Sequence, residues 1–326
     1  MSLGLFYNAE IRNNGTGCLV WDAAKRGLGI PLTRYNRPGI NVKEHAFNLM
    51  IDDGRDEIEW TPPKPNALWC IDTHLGYDAR LRWAKNFDYV FTAQKDGAVQ
   101  MKKDGIKKAQ WLPLACHPPA HPNLQEMMGH KDREAHCGNM GLEKMFDLAF
   151  VGFMQDPPNE PGYNNRINYL DYMFKKFPNS WLSIQCFFEA MAVRYIRARL
   201  GFNISIRDDL NMRFFEIPST GTAMLCNSDQ VGYKELGFVD GEHFIGYHGP
   251  KEAALAARDF LKFDSGREDI AKAGHDLVRN KHTYAHRITE LLEACGVDNG
   301  ELFSDDSSNS DSGNSKEPEE GSFVDG

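Results

Sequence analysis

Short apolar runs of strand length alternate with polar or amphipathic segments of helix length along most of this chain, and that alternation leaves few folds open. Ala67-Leu68-Trp69-Cys70-Ile71 is a buried strand by its continuous apolar character. The segment from Arg80 to Asn86 has helical character, and Tyr89-Val90-Phe91-Thr92-Ala93 is a second strand. A helix from Lys95 to Asp104 ends at Gly105, and a third strand within Lys107 to Ala115 is closed by Pro113. Strand, helix, strand, helix, strand predicts a parallel sheet with helices on its faces. Leu3-Gly4-Leu5-Phe6-Tyr7 supplies the first strand, a polar loop from Glu10 to Gly17 follows it, and a helix runs from about Cys18 to Arg26. His45 to Asp52 is a short helix or strand.

The alternation restarts at Phe146-Asp147-Leu148-Ala149-Phe150-Val151-Gly152-Phe153, a buried strand. A helix over 165–176, a strand over Trp181–Cys186 and a helix over Phe187–Leu200 continue it. The helix carries an apolar stripe at Phe188, Met191, Ala192 and Tyr195, which is core spacing, so Arg194, Arg197 and Arg199 are expected on a solvated face. Thr222-Ala223-Met224-Leu225-Cys226 is a further strand, followed by a turn and strand over 241–247. Helices are expected over 251–261, over 267–273 (ended by Gly274-His275) and over 282–294. The chain therefore divides into an α/β Rossmann-like domain at 1–115, a linker at 116–145, a second Rossmann-like domain at 146–281 and a last helix at 282–297.

A chain of 326 residues, 41% hydrophobic and 25% charged, has room for two cores. No apolar run approaches the roughly 20 residues that cross a bilayer, and MSLGLFYNAE lacks the pattern of a secretory signal. Seven scattered cysteines, several inside apolar runs, are the mark of buried thiols in a reducing, cytoplasmic setting. The net charge of −9 is concentrated at one end: residues 301–326 hold eight acids against Lys316. Residues 298–326 are too poor in apolar groups to offset ordering entropy, which predicts a disordered acidic tail. The nearly neutral remainder shows no basic stripe for nucleic acid.

Ligand crevices of open α/β sheets lie at the carboxyl ends of strands. Asp72 and His74 follow Ala67–Ile71 there. His74 is placed to orient or polarise a ligand hydroxyl or to receive a proton from an acceptor, with Asp72 fixing its tautomer or bonding the ligand. The ordinary alternative is a helix-capping Asp72 and a satisfied polar His74. Gly152, near the end of its strand, lets a diphosphate approach the backbone. Between Cys116 and Lys144, His117, His121, His130, His136 and Cys137 fall in a proline-containing segment without C-x-x-C or H-x-x-x-H spacing. A solvated linker fits this better than a zinc site. No D-x-D pair follows a strand, so no metal site is assigned.

The segment from Asp208 to Tyr247 carries the densest signal. Asp208 and Glu216 are separated by seven residues, and Ile217-Pro218-Ser219-Thr220-Gly221 leads into the strand at 222–226, with Gly221 as a C-cap. A carboxylate at such a crevice can hold ribose hydroxyls, and nearby N–H groups and small hydroxyls can hold phosphates. Glu216 is thus expected on the ribose, and Ser219, Thr220 and Gly221 on the diphosphate. Arg213 either neutralises charge or pairs with Asp208.

The R-x-F-E-I-P-x-x-G block (Arg213, Phe215, Glu216, Ile217, Pro218, Gly221) resembles the donor-site segment of GT-B-type glycosyltransferases, closest to the spore-maturation-protein (CgeB-like) group and the group 1 glycosyl transferases. Further matches are Phe238, Gly241-Glu242-His243, Ala273-Gly274-His275 and His282-Thr283-Tyr284 with Arg287. The resemblance spans Trp69 to Leu292 and is firm from Phe146. It implies two facing Rossmann-like domains with an interdomain cleft, a nucleotide-diphosphate sugar as co-substrate, and no metal cofactor. The acidic–x7–acidic spacing resembles the paired glutamates of retaining enzymes, with Asp208 in the first, catalytic place. The loop holding Asn14, Gly15 and Thr16 is implied to face the cleft on the acceptor side, and the last helix to cross back to the first domain, giving His282, Tyr284 and Arg287 structural roles. The basic clamp that related enzymes carry after the Gly152 strand is missing from Met154-Gln155-Asp156-Pro157-Pro158, which leaves Arg166 or Arg213 to supply that charge. The expected function is sugar transfer to an acceptor the sequence does not identify. A nucleotide-sugar epimerase-like enzyme or a non-catalytic nucleotide-sugar-binding protein are the alternatives.

Overall fold

The computed structural model describes residues 2–36, 42–53, 60–129, 141–154, 166–205 and 207–297. Two wholly parallel sheets organise them. The first holds β1 (Leu3–Phe6), β2 (Leu32–Tyr35), β3 (Phe47–Ile51), β4 (Asn66–Cys70), β5 (Tyr89–Thr92) and β6 (Ala109–Trp111), in the order β2-β1-β3-β4-β5-β6. The second holds β7 (Phe146–Val151), β8 (Ser180–Ser183), β9 (Ala198–Asn203), β10 (Ala223–Asn227) and β11 (Ile245–Tyr247), in the order β11-β10-β9-β7-β8. Both orders reverse direction once, between β1 and β3 and between β7 and β9. These are the switch points where ligand crevices open in doubly wound folds.

The central strands β3, β4 and β10 are buried at every position, because helices cover both faces of a parallel sheet. In the first lobe these are α1 (Thr16–Asp22), continued by a π-helical turn over Ala23–Gly27, α2 (Tyr77–Ala84) and α3 (Lys95–Lys103). The connection to the second lobe contains α4 (Leu124–Gly129), and the second lobe has α5 (Arg166–Lys176), α6 (Phe188–Ile196), α7 (Arg213–Ser219), α8 (Pro250–Lys262) and α9 (Asp264–Lys281). The last helix is α10 (Tyr284–Ala294).

Three expectations change. The helix expected over Phe187–Leu200 stops at Ile196, and Ala198–Asn203 becomes β9, the centre of the second sheet. Helical spacing runs past the real end of the helix because Leu200 and Phe202 are apolar for a different reason, lying in a central strand covered on both faces. Arg197, expected in solvent, is fully buried, with its guanidinium over the rings of Phe146 (5.5 Å) and Trp181 (5.4 Å). The helix expected to end at Gly274 runs on to Lys281; a Cβ at Gly274 would lie 2.5 Å from the His243 carbonyl oxygen, so the glycine serves a close approach and not a stop. The segment 45–52 resolves as strand β3.

The lobes are joined by two strands of backbone lying side by side. The Cys116 N–H donates to the His282 carbonyl (3.0 Å), and the Tyr284 N–H donates to the Cys116 carbonyl (2.9 Å). Beyond this crossing α10 packs on α1 and the π-helical turn of the first lobe. Arg287, buried, donates from Nε to the Pro113 carbonyl (3.0 Å) and lies 2.9 Å by Nη2 from His282 Nδ1. His282, Tyr284 and Arg287 thus brace the crossing. Among the described residues no helix is long and apolar enough to cross a membrane. The acidic stretch 298–326, like His130, His136, Cys137 and residues 155–165, lies outside the described residues.

Candidate functional site

The carboxyl edges of the two sheets face each other, and a cavity of about 230 Å³ lies between them. Thr73, His74, Tyr77 and Gln94 line it from the first lobe, and Arg207, Asp208, Asp209 and Leu210 from the second. His74 and Asp208, far apart in sequence, therefore share one cavity. Arg207 Nη1 donates to the His74 carbonyl at 2.5 Å. Gln94 accepts from the Thr73 N–H and Oγ1, each at 2.8 Å, and its Nε2 donates to Asp209 Oδ1 at 3.2 Å across the gap. Burial raises the Asp209 carboxyl, opposed by His74 beside it. Asp72 adds its negative field to Asp209, Asp52 and Asp53. Its side chain does not cap the short helix at Thr73–Leu75. Asp208 is not a helix cap either, since α7 begins at Arg213 with Met212 as N-cap. Arg207 and Asp208 have φ of +50° and +56°, a left-handed conformation costly for residues with a Cβ. Both residues lie on the rim of the cavity.

Glu216 is not among the residues lining this cavity. It lies on α7 and is 6% exposed, packed under the crossing between the lobes. Its Oε1 is 3.4 Å from Nε2 of His121, and its charge acts on Cys116 and Tyr284, both in the crossing segments. Burial pushes its carboxyl up to about 7, with Arg213, one turn away, drawing it back. Among the described residues the carboxylate accepts no hydrogen bond. Its nearest charged or polar side-chain neighbour across the crossing is His121, at that 3.4 Å.

Arg213 and Arg166 meet at the switch point of the second lobe. Arg213 donates from Nε to Asn203 Oδ1 (3.0 Å), from Nη1 to the Val151 carbonyl (3.2 Å) and from Nη2 to the Ile204 carbonyl (3.3 Å). Asp208 is not one of these partners, so the expected pair with Arg213 is not what holds the guanidinium. Arg166 donates from Nη1 to the Phe153 carbonyl (3.0 Å) and from Nη2 to the same Ile204 carbonyl (3.4 Å). Gly152 lies between, with φ +151°, and any Cβ there would collide with Arg213 Nη1. Two cations thus converge where β7 and β9 diverge. The residues after Met154 that lack the usual clamp lie outside the described residues.

Ser219, Thr220 and Gly221 are placed differently from expectation. They close the carboxyl end of α7, where backbone carbonyls and the negative end of the helix dipole are exposed. Ser219 Oγ donates to the His121 carbonyl (3.0 Å) and Thr220 Oγ1 to the Ile217 carbonyl (2.7 Å). Thr220 and Gly221 line a separate cavity of about 430 Å³ with Asn123, Met128, Lys272 and His275. Hydroxyls spent on carbonyls at the wrong pole of a helix do not hold a diphosphate. Gly221 is the C-cap glycine it was expected to be, at φ +73°.

In the first lobe, Gly15 is the N-cap of α1, Asn14 is half-buried before it, and Thr16 is buried, its Oγ1 directed to Met212 Sδ of the second lobe at 3.7 Å. This loop therefore faces the other lobe. The N-terminus of α1 is already served by Asp53, whose Oδ2 accepts the Gly17 N–H at 2.9 Å; burial pushes that carboxyl up to about 6. Sequence reasoning missed Asp53, Gln94 and Asp209 because each gains meaning only from a partner distant in the chain. His117 and His121, expected in a solvated linker, are both buried. Among the described residues no group of three or more His, Cys, Asp or Glu side chains is arranged to hold a metal.

Residues 185–293 match the profile of a family described as glycosyl transferase-like. HepE of Anabaena, solved with UDP, superposes with a TM-score of 0.58 at 9% identity, covering 91% of this chain and 100% of that one. Sucrose-phosphate synthase of Thermosynechococcus elongatus gives 0.54 at 9% identity over 90% and 98%. T4 phage BGT, solved with UDP and Mn2+, gives 0.53 at 11% over 90% and 99%. The fold is the GT-B fold of glycosyltransferases. No curated protein sequence matches the chain. In GT-B terms the second lobe holds the matched glycosyl transferase-like region, and the cavity of His74 and Asp208 lies at the interdomain cleft.

Proposed function

We propose that this GT-B protein is a glycosyltransferase that takes a sugar from a nucleotide-diphosphate donor. The observation that carries this is Glu216: a carboxylate 6% exposed, inside the matched segment 185–293 and under the crossing of the lobes, is suited to the paired hydroxyls of a ribose. Arg213 and Arg166, at the switch point beside Gly152, supply the positive charge that a departing diphosphate requires. That assignment moves the diphosphate away from Ser219, Thr220 and Gly221. The sugar then extends towards the cavity, where Asp208 and His74 face it from opposite lobes, and Asn14, Gly15 and Thr16 bound the acceptor side. HepE binds UDP-glucose in another of its structures, which favours a uridine donor.

Four finer points belong to the same reading. The R-x-F-E-I-P-x-x-G block supports the CgeB-like group within GT-B proteins. The two arginines supply leaving-group charge from the chain itself, which supports a metal-independent reaction. The Asp208–Glu216 spacing supports retention of configuration. Free thiols at Cys18, Cys70, Cys116, Cys186, Cys226 and Cys295 support a cytoplasmic setting.

A thermal-shift screen with UDP, GDP, ADP and TDP and their sugars tests the reading. One nucleoside diphosphate should stabilise the fold, by about 2.7 kcal/mol at a hundredfold excess over its Kd, and donor hydrolysis or transfer should follow by mass spectrometry. Binding without turnover against an acceptor panel would favour a binding-only protein, and an isomerised nucleotide-sugar an epimerase. No binding of any nucleotide would remove the reading.

A further inference from the structure

His121 has no place in the machinery described so far, yet it is among the most tightly held side chains in the molecule. It is 1% exposed. Its Nδ1 accepts the N–H of His117 at 3.1 Å, and that acceptance leaves the ring proton on Nε2. Nε2 is the atom 3.4 Å from Glu216 Oε1. The His121 carbonyl is fixed from the other side, by Ser219 Oγ at 3.0 Å and by Arg279 Nη2 at 3.2 Å. His117 in turn reaches Asp22 Oδ2 on α1 by its Nε2, at 2.7 Å. A chain of contacts therefore runs from α1 of the first lobe through the crossing segment to the carboxylate on α7.

We propose that His121 is the positioning residue of Glu216, offering its Nε2–H to one carboxylate oxygen so that the other is presented to the ribose hydroxyls of the donor. The inference rests on the donor-site reading above and adds to it a role for a residue outside the matched segment 185–293. At 3.4 Å the contact is longer than a good hydrogen bond, and catalytic and binding contacts of this kind shorten when the ligand is in place. The ring is suited to the task because it is neutral: burial pushes His121 down to about 3. A charged imidazolium would instead lock Glu216 in an ion pair and compete with the ribose. The same geometry explains Ser219, whose hydroxyl holds the His121 backbone and not a phosphate.

The test compares affinities for a nucleoside diphosphate and its 2′,3′-dideoxy counterpart by titration calorimetry, using UDP or whichever base the screen selects. Wild type should prefer the ribose form by at least tenfold. H121F should bring that ratio close to one while leaving affinity for inorganic pyrophosphate within twofold, and H121Q, whose amide can donate from a similar position, should recover most of the preference. H121M, a non-donor of similar reach, carries the same comparison if H121F does not fold. A wild-type ratio near one overturns the ribose assignment of Glu216. A wild-type preference that survives intact in H121F or H121M leaves that assignment standing and overturns the role of His121.

Discussion

In the first lobe the crevice between β1 and β3 ends in carboxylates. Asp52 is bound by Arg80 at 2.5 Å and by the Ile71 N–H at 2.7 Å, and Asp53 takes the N-terminal N–H of Gly17. In the second lobe the corresponding crevice between β7 and β9 ends in two guanidinium groups sharing one carbonyl. The two sheets have the same order around the switch point, yet their crevices have opposite charge. A diphosphate brought to the first would meet Asp52, Asp53 and Asp72, with the N-terminus of α1 already occupied by a side chain of the protein. Brought to the second it meets Arg166 and Arg213. Topology offers two equivalent crevices, and the side chains at their ends decide which takes the nucleotide.

The largest effect should come from removing the cation on one side and the anion on the other. Arg213→Met is expected to weaken nucleoside diphosphate binding at least a hundredfold, about 2.7 kcal/mol. Asp53→Asn, which keeps an acceptor for Gly17, should change it less than twofold. Calorimetric titration with a melting curve for each variant checks both. Arg213 also ties together the ends of β7 and β9, so Arg166→Met, expected to cost about tenfold, guards against a simple folding defect. Equal losses from Arg213→Met and Asp53→Asn would erase the distinction between the lobes.

A smaller and more diagnostic effect concerns pH. Glu216 is raised from 4.5 to about 7, so the folded state holds a proton that the unfolded state has released, and stability falls as pH rises from about 4.5 to 7. His121 is lowered from 6.5 to about 3, so the unfolded state holds the extra proton, and stability rises over about 3 to 6.5. Between about 4.5 and 6.5 the two slopes, each about 1.4 kcal/mol per pH unit, oppose each other. Relative to wild type, Glu216→Gln should therefore gain stability with rising pH across that window, and His121→Phe should lose it. Denaturant titrations at pH 4.5, 5.5 and 6.5 read both signs, and groups common to all three proteins drop out of the difference. Parallel curves would mean that neither side chain is as dry as its burial implies.

Most of the inner strands were legible in sequence because they are continuous apolar runs, while β2 (Leu32-Thr33-Arg34-Tyr35) has no such run, and the crossing of the last helix was implied by the family resemblance rather than by any local pattern. β9 was hidden. Ala198-Arg199-Leu200-Gly201-Phe202-Asn203 continues the apolar spacing of the preceding helix, and its Gly201 gives no strand signal although a side chain there would collide with Ile217. At the site, Glu216 and Arg213 stood out because a glycine and a proline punctuate their block. Ser219, Thr220 and Gly221 show small hydroxyls and a glycine in the sequence, but only the fold shows that they sit at the carboxyl pole of α7, with the hydroxyls directed to carbonyls. His121 was visible as a buried candidate only in space: its partner is 95 positions away, and no local spacing reports such a contact.

The smallest effect should come from Lys95 and Glu235, an ion pair that bridges the lobes at the rim of the cleft. The side chains are 33% and 53% exposed, and exposed pairs of this type contribute roughly 0–1 kcal/mol. Lys95→Ala should therefore leave the melting temperature almost unchanged. Its effect should appear in nucleotide association, because a donor that reaches Glu216 beneath the crossing must enter between lobes that this pair holds together. We expect a rise in the association rate of less than about fivefold at low salt, the factor that 1 kcal/mol allows. At about 1 M salt, where the screening length is roughly 3 Å, variant and wild type should converge. A stopped-flow series against ionic strength reads this. A salt-independent difference would assign the effect to the packing of the Lys95 stem on Trp111, with Nζ 5.6 Å from the ring centre, and not to charge across the cleft.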